Sequence, residues 1–361
     1  MVMTKSVLTG VPKGRGAISN EVSRFDPLKH DVFDDGWGGT REDLPPLRTE
    51  VQIERPRTLI TYNKSPDLPF DRSINPYRGC EHGCVYCFAR PTHAYLGLSP
   101  GLDFETRLIA RPDAADVLKR ELAHKRYMVD AIAVGTNTDP YQPIEKDFRI
   151  MLDCLEVLAA CRHPVAIVTK GSLIERDIDI LAEMARRGLV AVGISVTTLD
   201  RDLGRSLEPR APTPVRRLKM ISALTDAGIP VRVMASPIFP GLTDTELEPI
   251  LEAGRDAGAM TASWSMLRLP REVSPLVQEW LWQHVPGRAA KIMARLREMH
   301  GGKDYDARWG HRMRGEGPYA EMIAHRLALA VKRMGIVARL PTLQNHHFRP
   351  PADLDGQMSL F

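Results

Sequence analysis

Three closely spaced cysteines could hold an iron–sulfur cluster. Cys80, Cys84 and Cys87 are spaced C-x3-C-x2-C. Cysteine thiolates are the usual ligands of four-iron clusters, and four of them would close such a site. Three thiolates bind only three irons, so the fourth iron is free to bind a substrate or cofactor. The spacing therefore predicts an enzyme site rather than an electron-transfer site.

The main alternative for these cysteines is a zinc site with His82 or His93 as the fourth ligand. Structural zinc sites usually pair ligands as C-x2-C, with a second pair a dozen or more residues away. The sequence contains no such second pair. A disulfide is disfavoured because the clustered cysteines are odd in number. The four-iron cluster is the preferred interpretation.

The motif resembles that of the radical S-adenosylmethionine (SAM) superfamily, in which an aromatic residue, here Tyr86, precedes the third cysteine. The resemblance implies a [4Fe–4S] cluster whose open iron binds the amino and carboxylate groups of SAM. It also implies that the reduced cluster cleaves SAM to a 5′-deoxyadenosyl radical. An electron donor such as flavodoxin or ferredoxin is then an expected partner.

Length and composition fit a cytoplasmic enzyme. The chain has 361 residues, of which 43% are hydrophobic and 26% charged, as is ordinary for globular proteins. No apolar run reaches the ~18 residues of a membrane-spanning helix, and the first residues lack the apolar segment of a signal peptide. Only five cysteines occur, which favours a reducing cytoplasm. The net charge of +4 is too small to identify a nucleic-acid partner.

The elements that must position the cysteines alternate between strand and helix from about residue 70 to residue 265. A strand just before Cys80 is followed by five short, apolar, β-branched runs, at 129–135, 164–169, 189–196, 230–235 and 259–264. Gly188, Gly228 and Gly258 fall where a helix ends before the next strand. Six βα units predict a parallel sheet with right-handed crossovers. This α/β pattern matches the open (β/α)6 partial TIM barrel of the superfamily it resembles.

Four regions are predicted along the chain. Residues 1–65 are rich in Gly, Pro and charge and show no helical or strand period, which predicts an extended N-terminal arm. Residues 66–270 form the predicted radical SAM core. Residues 271–345 form a basic helical C-terminal region, and residues 346–361 a flexible tail.

Candidate cofactor-binding residues follow from the strand ends, because barrels of this type carry their chemistry at the carboxyl ends of the strands. With the resemblance, the candidates for contacting SAM are Tyr86, Thr138, Asp139, Lys170, Ser195 and Pro237. Thr138 and Asp139 suit the SAM ammonium, although such residues also cap helices and form turns. Lys170 suits the SAM carboxylate, although a solvent-exposed cation is an equal alternative.

Further polar residues near the strand ends are candidate catalytic groups, namely Tyr141, Glu145, Glu208, Arg210 and Arg268. Glu208 and Arg210 either contact the substrate or form a salt bridge that orders their loop. Arg268 follows the sixth strand, where it would face the substrate.

Longer blocks narrow the resemblance to the spore photoproduct lyase-like ("DNA repair photolyase") bacterial radical SAM proteins. These blocks are residues 62–67, 70–80, 138–145 and 208–210, and the resemblance runs from about residue 14 to the C-terminus. Spore photoproduct lyase splits a methylene-bridged thymine dimer in DNA, so the resemblance implies lyase-like repair of a DNA base lesion. The alternative is radical modification of RNA, a peptide or a small metabolite.

One departure argues against the same thymine-dimer reaction. Spore photoproduct lyase returns a hydrogen atom from a cysteine at the end of strand two, but residues 136–139 contain no cysteine. The two remaining cysteines, Cys154 and Cys161, are seven apart on a predicted helix. We expect them to be small buried apolar residues.

The C-terminal region is unusually basic. Between residues 286 and 349 there are 13 Lys and Arg against five Asp and Glu, a net excess of eight positive charges. Tyr305, Trp309 and Tyr319 lie among them. Concentrated basic charge indicates phosphate binding, and aromatic rings can stack on bases, which predicts a DNA partner. The alternative is a pair of helices with solvated Arg-rich faces.

The last five residues, Gln-Met-Ser-Leu-Phe, resemble the peptide by which bacterial repair proteins dock on the DNA sliding clamp. Leu360 and Phe361 would enter an apolar pocket while Gln357 forms hydrogen bonds. A tail that folds back on the core is the alternative. With the tail docked, a third function is a non-catalytic iron–sulfur protein tethered to the clamp.

Overall fold

The structure, a computed structural model, describes residues 13–25 and 47–351. The strands in these residues are β1 (Glu50–Ile53), β2 (Thr61–Tyr62), β3 (Arg72–Ile74), β4 (Tyr77–Arg78), β5 (Arg107–Ala110), β6 (Ile132–Val134), β7 (Val165–Thr169), β8 (Val190–Ser195), β9 (Val231–Ile238) and β10 (Thr261–Met266). The α-helices are α1 (Asp103–Thr106), α2 (Ala114–Leu122), α3 (Glu145–Phe148), α4 (Ile150–Ala160), α5 (Ile178–Arg186), α6 (Arg201–Leu207), α7 (Pro214–Asp226), α8 (Leu247–Asp256), α9 (Val273–His284), α10 (Pro286–Met299) and α11 (Gly317–Arg333).

The main sheet has seven strands in the order β10-β9-β8-β7-β6-β3-β2. Strands β3 and β6 to β10 are parallel and follow one another in chain order, and β2 adds an antiparallel edge. Helices connect successive parallel strands, so the sheet winds in one direction as an open partial barrel. The predicted α/β fold and its six βα units are confirmed.

The helices pack on the sheet through the apolar stripes that the sequence predicted. Val117, Leu118 and Leu122 of α2 are each at most 1% exposed, as are Leu247 and Leu251 of α8. The glycines predicted to end helices do so. Gly188, Gly228 and Gly258 have φ of +66°, +79° and +97°, a region that side chains other than glycine rarely adopt.

The predicted N-terminal arm is part of the folded core where the structure describes it. Strand β1 pairs with β5 in a second, three-stranded sheet, and β2 joins the main sheet. The sequence shows no strand period in residues 50–62 because β1 and β2 have only four and two residues, too few for an alternating pattern to show.

The C-terminal segment runs across the end of the main sheet at which the parallel strands begin. The N–H groups of Val337, Gln344 and Arg349 donate to the carbonyls of residues 260, 188 and 161, which precede β10, β8 and β7. Phe348 packs against His163 at 5.3 Å between ring centroids. Phe348 and Arg349, which the sequence assigned to the tail, thus contact the core. No helix of the described part is both long and apolar enough to cross a membrane.

Candidate active site

The three cysteines of the motif lie in one tightly turned loop between β4 and the 3-10 helix Arg90–Leu96. Cys80 and Cys84 are buried and Cys87 is partly buried. Three consecutive turns shape the loop, because the N–H groups of residues 83, 87 and 90 donate to the carbonyls of Cys80, Cys84 and Cys87. All three thiols are free of disulfides. The loop follows β3 and β4 directly, which fixes it beside the main sheet.

The protein environment disfavours ionisation of two of the three thiols. Burial, and then the charge of Asp139, raise the pKa of Cys80 well above its usual range. Burial also raises the pKa of Cys84, against a smaller lowering by the Lys170 ammonium. A metal that binds these thiols must displace their protons, as metal binding to cysteine generally does.

Both histidines of the zinc alternative have one ring nitrogen next to an oxygen of the protein. His82 Nδ1 lies 3.3 Å from Asp139 Oδ2, and His93 Nε2 lies 2.9 Å from the carbonyl oxygen of Arg107. Within residues 13–25 and 47–351, no three His, Cys, Asp or Glu side chains converge as on a single metal ion. A four-iron cluster needs a different arrangement, because each thiolate binds its own iron.

A buried carboxylate, Glu105, ties the cysteine loop to the N-terminal segment. The backbone N–H groups of Gly16 and Ala17 donate to its two oxygens at 2.9 and 2.8 Å. Arg90 donates to the same carboxylate at 2.5 Å and to the carbonyl oxygen of Cys84 at 2.9 Å. Arg90 and Glu105 side chains are both 0% exposed. We call Gly16, Ala17, Arg90 and Glu105 the Glu105 brace.

Contact between the brace and the loop leaves no room for a side chain at Gly16. A Cβ at Gly16 would lie 1.8 Å from the carbonyl oxygen of Gly83, which is backbone and cannot rotate away. Gly83 itself has φ +69°, and a Cβ there would lie 2.7 Å from Glu105. The two glycines therefore allow the N-terminal segment to pass directly over the cysteine loop.

The polar turn after β6 also holds the cysteine loop. Gln142 accepts the N–H of Glu81 at 2.8 Å and donates to the carbonyl oxygen of Gly79 at 3.2 Å. Thr138 donates its hydroxyl to the carbonyl oxygen of Tyr77 at 3.2 Å. The turn that the sequence assigned to SAM binding therefore forms hydrogen bonds to the chain on both sides of Cys80.

Asp139 is the most heavily bonded group of that turn. Its carboxylate accepts the Thr169 hydroxyl at 2.6 Å and the Lys170 N–H at 2.7 Å, and it also accepts the N–H of Tyr141 at 2.9 Å. Burial would raise the pKa of Asp139, but His82 and these hydrogen bonds hold it well below its usual range. Asp139 is therefore ionised and joins β6, β7 and the cysteine loop.

Tyr86 is fixed by groups from the carboxyl ends of β8 and β9. Its hydroxyl contacts the Thr197 hydroxyl at 3.0 Å and donates to Glu208. The Tyr86 ring meets Phe239 edge to face at 5.6 Å. Glu208 is 2% exposed and also binds Arg217. The predicted ring next to the third cysteine is thus held rigidly inside the site.

Lys170, Ser195 and Pro237 occupy the ends of three neighbouring strands. Lys170 follows β7, Ser195 ends β8 and Pro237 is the penultimate residue of β9. The Lys170 ammonium lies 5.8 Å from the centre of the Tyr86 ring. These residues lie at the same edge of the sheet as the cysteine loop, as the strand-end rule predicts.

The five candidate catalytic residues divide into two groups. Tyr141 and Glu145 are buried at 1% and 0% exposure, and Glu145 binds Arg176 at 2.7 Å and the N–H of Met151 at 3.0 Å. Glu145 also accepts a hydrogen bond from the hydroxyl of Tyr77 in β4, the strand that leads into the cysteine loop. Tyr141 has a pKa well above its usual range because of burial, and then because of the charge of Asp177.

The other three candidates contact the cysteine loop. Glu208 binds Tyr86, and Arg210 binds Glu81 at 2.6 Å. The loop-ordering alternative for Glu208 and Arg210 thus matches their contacts. The Arg268 guanidinium lies over the Phe88 ring at 4.0 Å from its centre.

Sequence reasoning missed Gln142 and every member of the Glu105 brace. The run Gly14-Arg15-Gly16-Ala17 carried a signal in its two glycines, but its partner Glu105 is about 90 residues away. Cys154 and Cys161, at 0% and 1% exposure, are apolar core residues as predicted. Gln357, Leu360 and Phe361 lie outside the described residues, so the clamp peptide stays a prediction.

Comparison with known sequences identifies the family. Residues 74–254, half of the chain, match the family model for the radical SAM superfamily. The uncharacterized protein Rv2578c of Mycobacterium tuberculosis is 39% identical over 243 residues, which cover 66% of this chain and 70% of that protein. The uncharacterized protein MJ0683 of Methanocaldococcus jannaschii is 27% identical over 173 residues, which cover 48% and 62% of the two chains.

Solved structures show the same fold. Spore photoproduct lyase complexed with dinucleoside spore photoproduct is similar with a TM-score of 0.52 and 16% identity, over 79% of each chain. A mutant of spore photoproduct lyase with bound AdoMet and dinucleoside spore photoproduct gives a TM-score of 0.55 and 14% identity, over 81% of this chain and 85% of that one. The chain belongs to the radical SAM superfamily, whose enzymes use a [4Fe–4S] cluster and S-adenosylmethionine.

Proposed function

We propose that Cys80, Cys84 and Cys87 ligate the [4Fe–4S] cluster and that the enzyme repairs a base lesion in DNA by a lyase-like radical reaction. The observation that carries the first part is the single turned loop that holds all three thiols at the carboxyl ends of β7, β8 and β9. When bound and reduced, the cluster supplies a 5′-deoxyadenosyl radical from SAM.

The residues around the loop take two kinds of role in this proposal. Lys170 carries a positive charge at the strand ends beside Tyr86 and binds the SAM carboxylate. Ser195 and Pro237 line the rest of the SAM pocket. Thr138 and Asp139 act mainly by holding the loop, because their side-chain oxygens are already hydrogen-bonded to protein groups.

The DNA substrate is supported by the loop between α10 and α11, residues 300–316. This loop carries Arg308, Arg312 and Arg314 and the exposed Trp309, which is 59% exposed. Its Met313 carbonyl accepts the N–H of Met266 at the carboxyl end of β10 at 2.8 Å. Basic and aromatic residues thus reach the edge of the sheet at which the strands end, as a nucleic-acid site requires.

Anaerobic reconstitution followed by a product assay tests the first part. We expect about four irons per chain and 5′-deoxyadenosine formation from SAM after reduction. Replacement of Cys80, Cys84 and Cys87 by Ala should abolish both. Cys154→Ala, a buried cysteine outside the loop, is the matched control and should keep both. Stoichiometric zinc with no SAM cleavage would overturn the assignment.

A binding and labelling assay tests the second part. Ultraviolet-irradiated DNA should bind with an affinity that falls steeply with salt, as counterion release requires. With deuterated DNA, label should appear in 5′-deoxyadenosine. Transfer of label from RNA or peptide substrates, but not from DNA, would refute the proposed substrate.

A further inference from the structure

An exposed aromatic ring and an arginine lie immediately beside the cysteine loop. Phe88 follows Cys87 and is 45% exposed, although Arg268 covers one side of it at 4.0 Å from the ring centre. The exposed area therefore belongs to the rest of the ring. That part of the ring is open to a planar ligand beside the cysteine loop.

Arg268 lacks a carboxylate partner in the described part of the chain. Tyr305, Arg312, Cys87 and the carboxylate of Asp67 are near enough to act on its charge. That carboxylate, however, is held by Arg312 through two hydrogen bonds of 2.8 and 2.6 Å, and by the N–H of Gly310 at 3.1 Å. Burial lowers the pKa of Arg268. A partly buried guanidinium without an anion is costly, so its position favours an anionic ligand.

The loop 300–316 completes the wall of this site. It binds Asp67 in the turn between β2 and β3 through Gly310 and Arg312, and it binds Met266 at the end of β10 through Met313. Strands β2 and β10 are the two edges of the open sheet. The loop therefore links the two edges, and its residues Tyr305 and Arg312 are near enough to act on the charge of Arg268.

We propose that Phe88 and Arg268 bind one unstacked nucleotide of the substrate strand, an inference that rests on the proposed action on DNA. The base stacks on the exposed part of the Phe88 ring, and a phosphate next to it pairs with Arg268. A planar ring and an anion a few ångströms apart are what a nucleotide offers. Because Phe88 adjoins Cys87, this contact places the base next to the cluster site.

The bound strand must present that base with one face free. In an intact duplex both faces of each base are stacked, and unstacking one face costs free energy, least at a damaged or single-stranded position. Stacking on an aromatic side chain recovers part of that cost. The site consequently prefers single-stranded or lesion-distorted DNA to intact duplex of the same sequence.

Binding of a fluorescent single-stranded oligodeoxynucleotide to the full chain, measured by anisotropy over a salt series, tests the site. Phe88→Leu should weaken binding about 5- to 150-fold, the range for one stacked base, and Phe88→Tyr should restore it. Arg268→Gln should reduce the slope of log affinity against log salt by about 0.7, the value for one single-strand phosphate. Arg186→Gln is the control, because Arg186 is exposed on α5, is already bound to Glu183 and lies outside the proposed DNA site.

The outcomes separate this inference from the proposed function. Wild-type binding to DNA that Phe88→Leu and Arg268→Gln leave unchanged overturns the nucleotide site alone. Equal affinity for single strands and intact duplex also overturns it. Absence of wild-type binding to any DNA, with 5′-deoxyadenosine still formed from SAM, overturns the DNA substrate and this site together.

Discussion

Gly16→Ala is predicted to be among the most damaging single-methyl additions in the chain. The new Cβ would lie 1.8 Å from the backbone carbonyl oxygen of Gly83 and 3.2 Å from the backbone nitrogen of Val85. Real Cβ contacts do not approach backbone atoms so closely, so either the N-terminal segment or the cysteine loop must move. Movement of the segment breaks the hydrogen bonds from Gly16 and Ala17 to Glu105.

The size of the effect follows from those two bonds. Each hydrogen bond to a charged group contributes about 1.5–3 kcal/mol, so the variant loses about 3–6 kcal/mol. For 361 residues the unfolding entropy is about 0.76 kcal/mol/K, which gives a fall in Tm of roughly 4–8 °C. Thermal unfolding of the cluster-free protein gives Tm, and iron content after anaerobic reconstitution reports whether the loop still binds its cluster.

Gly287→Ala is the matched control for this variant. Gly287 lies in the first turn of α10, and a Cβ there would meet no atom within 4 Å. Alanine is the better helix former by about 1 kcal/mol, so this control should be neutral or slightly stabilising. If Gly16→Ala matches Gly287→Ala in both Tm and iron content, the N-terminal segment does not support the cysteine loop as described.

Three further predictions concern buried groups. Glu105→Gln removes the only carboxylate partner of Arg90 in the described residues and should cost about 3–5 kcal/mol in urea unfolding, whereas Glu183→Gln, at an exposed pair, should cost nothing measurable. Burial lowers the pKa of His163 to about 4 from 6.5. Between these two pH values the imidazole is protonated in the unfolded chain but not in the folded one. About 3 kcal/mol of stability should therefore be lost as the pH falls from 6.5 to 4. His163→Gln should remove that part of the pH dependence, and an unchanged profile would contradict it. Cys154→Ala should lower stability by about 1 kcal/mol or more through the cavity it leaves without reducing iron content.

The strands and helices of the core could be predicted because each has a characteristic pattern in its own stretch of sequence. A buried parallel strand is a short apolar run, and a helix on its outer face is an apolar stripe that ends at a glycine. Strands β6 to β10 therefore appear in the sequence nearly where the structure has them. Strands β1 and β2 do not, because two to four residues carry no period and pairing partners supply their stability.

The sequence predicts the chemical groups of the site better than it predicts the residues that hold those groups in place. The spacing of Cys80, Cys84 and Cys87 is local, and the strand-end rule located Lys170 and Ser195. The partners of the loop are distant in sequence. Glu105 meets Gly16, and Gln142 meets Glu81, through contacts that only the folded sheet creates. Asp139 shows the consequence, since its polar turn suggested a ligand for SAM while the fold uses both of its oxygens internally.

Around the cysteine loop, charged side chains that are hydrogen-bonded to the protein support the loop, and charged side chains without such bonds are free to bind a ligand. The buried carboxylates Glu105, Asp139 and Glu208 each accept hydrogen bonds from at least three protein groups. Buried charges of this kind are stable only when so satisfied, and they fix the loop. Two cations differ, because Lys170 and Arg268 have aromatic rings but no carboxylate bound to them in the part of the chain that the structure describes.

These two cations contact the rings that flank Cys87 in the chain. Lys170 adjoins Tyr86, one residue before Cys87, and Arg268 adjoins Phe88, one residue after it. Lys170 follows the central strand β7 and Arg268 follows the edge strand β10, so the two cation–ring pairs come from different parts of the sheet. Two anions are expected at a radical SAM enzyme that acts on DNA, the carboxylate of SAM and a phosphate of the strand. Under the proposed function one cation serves each anion, so Lys170→Met should weaken SAM binding while sparing DNA binding, and Arg268→Gln should do the reverse.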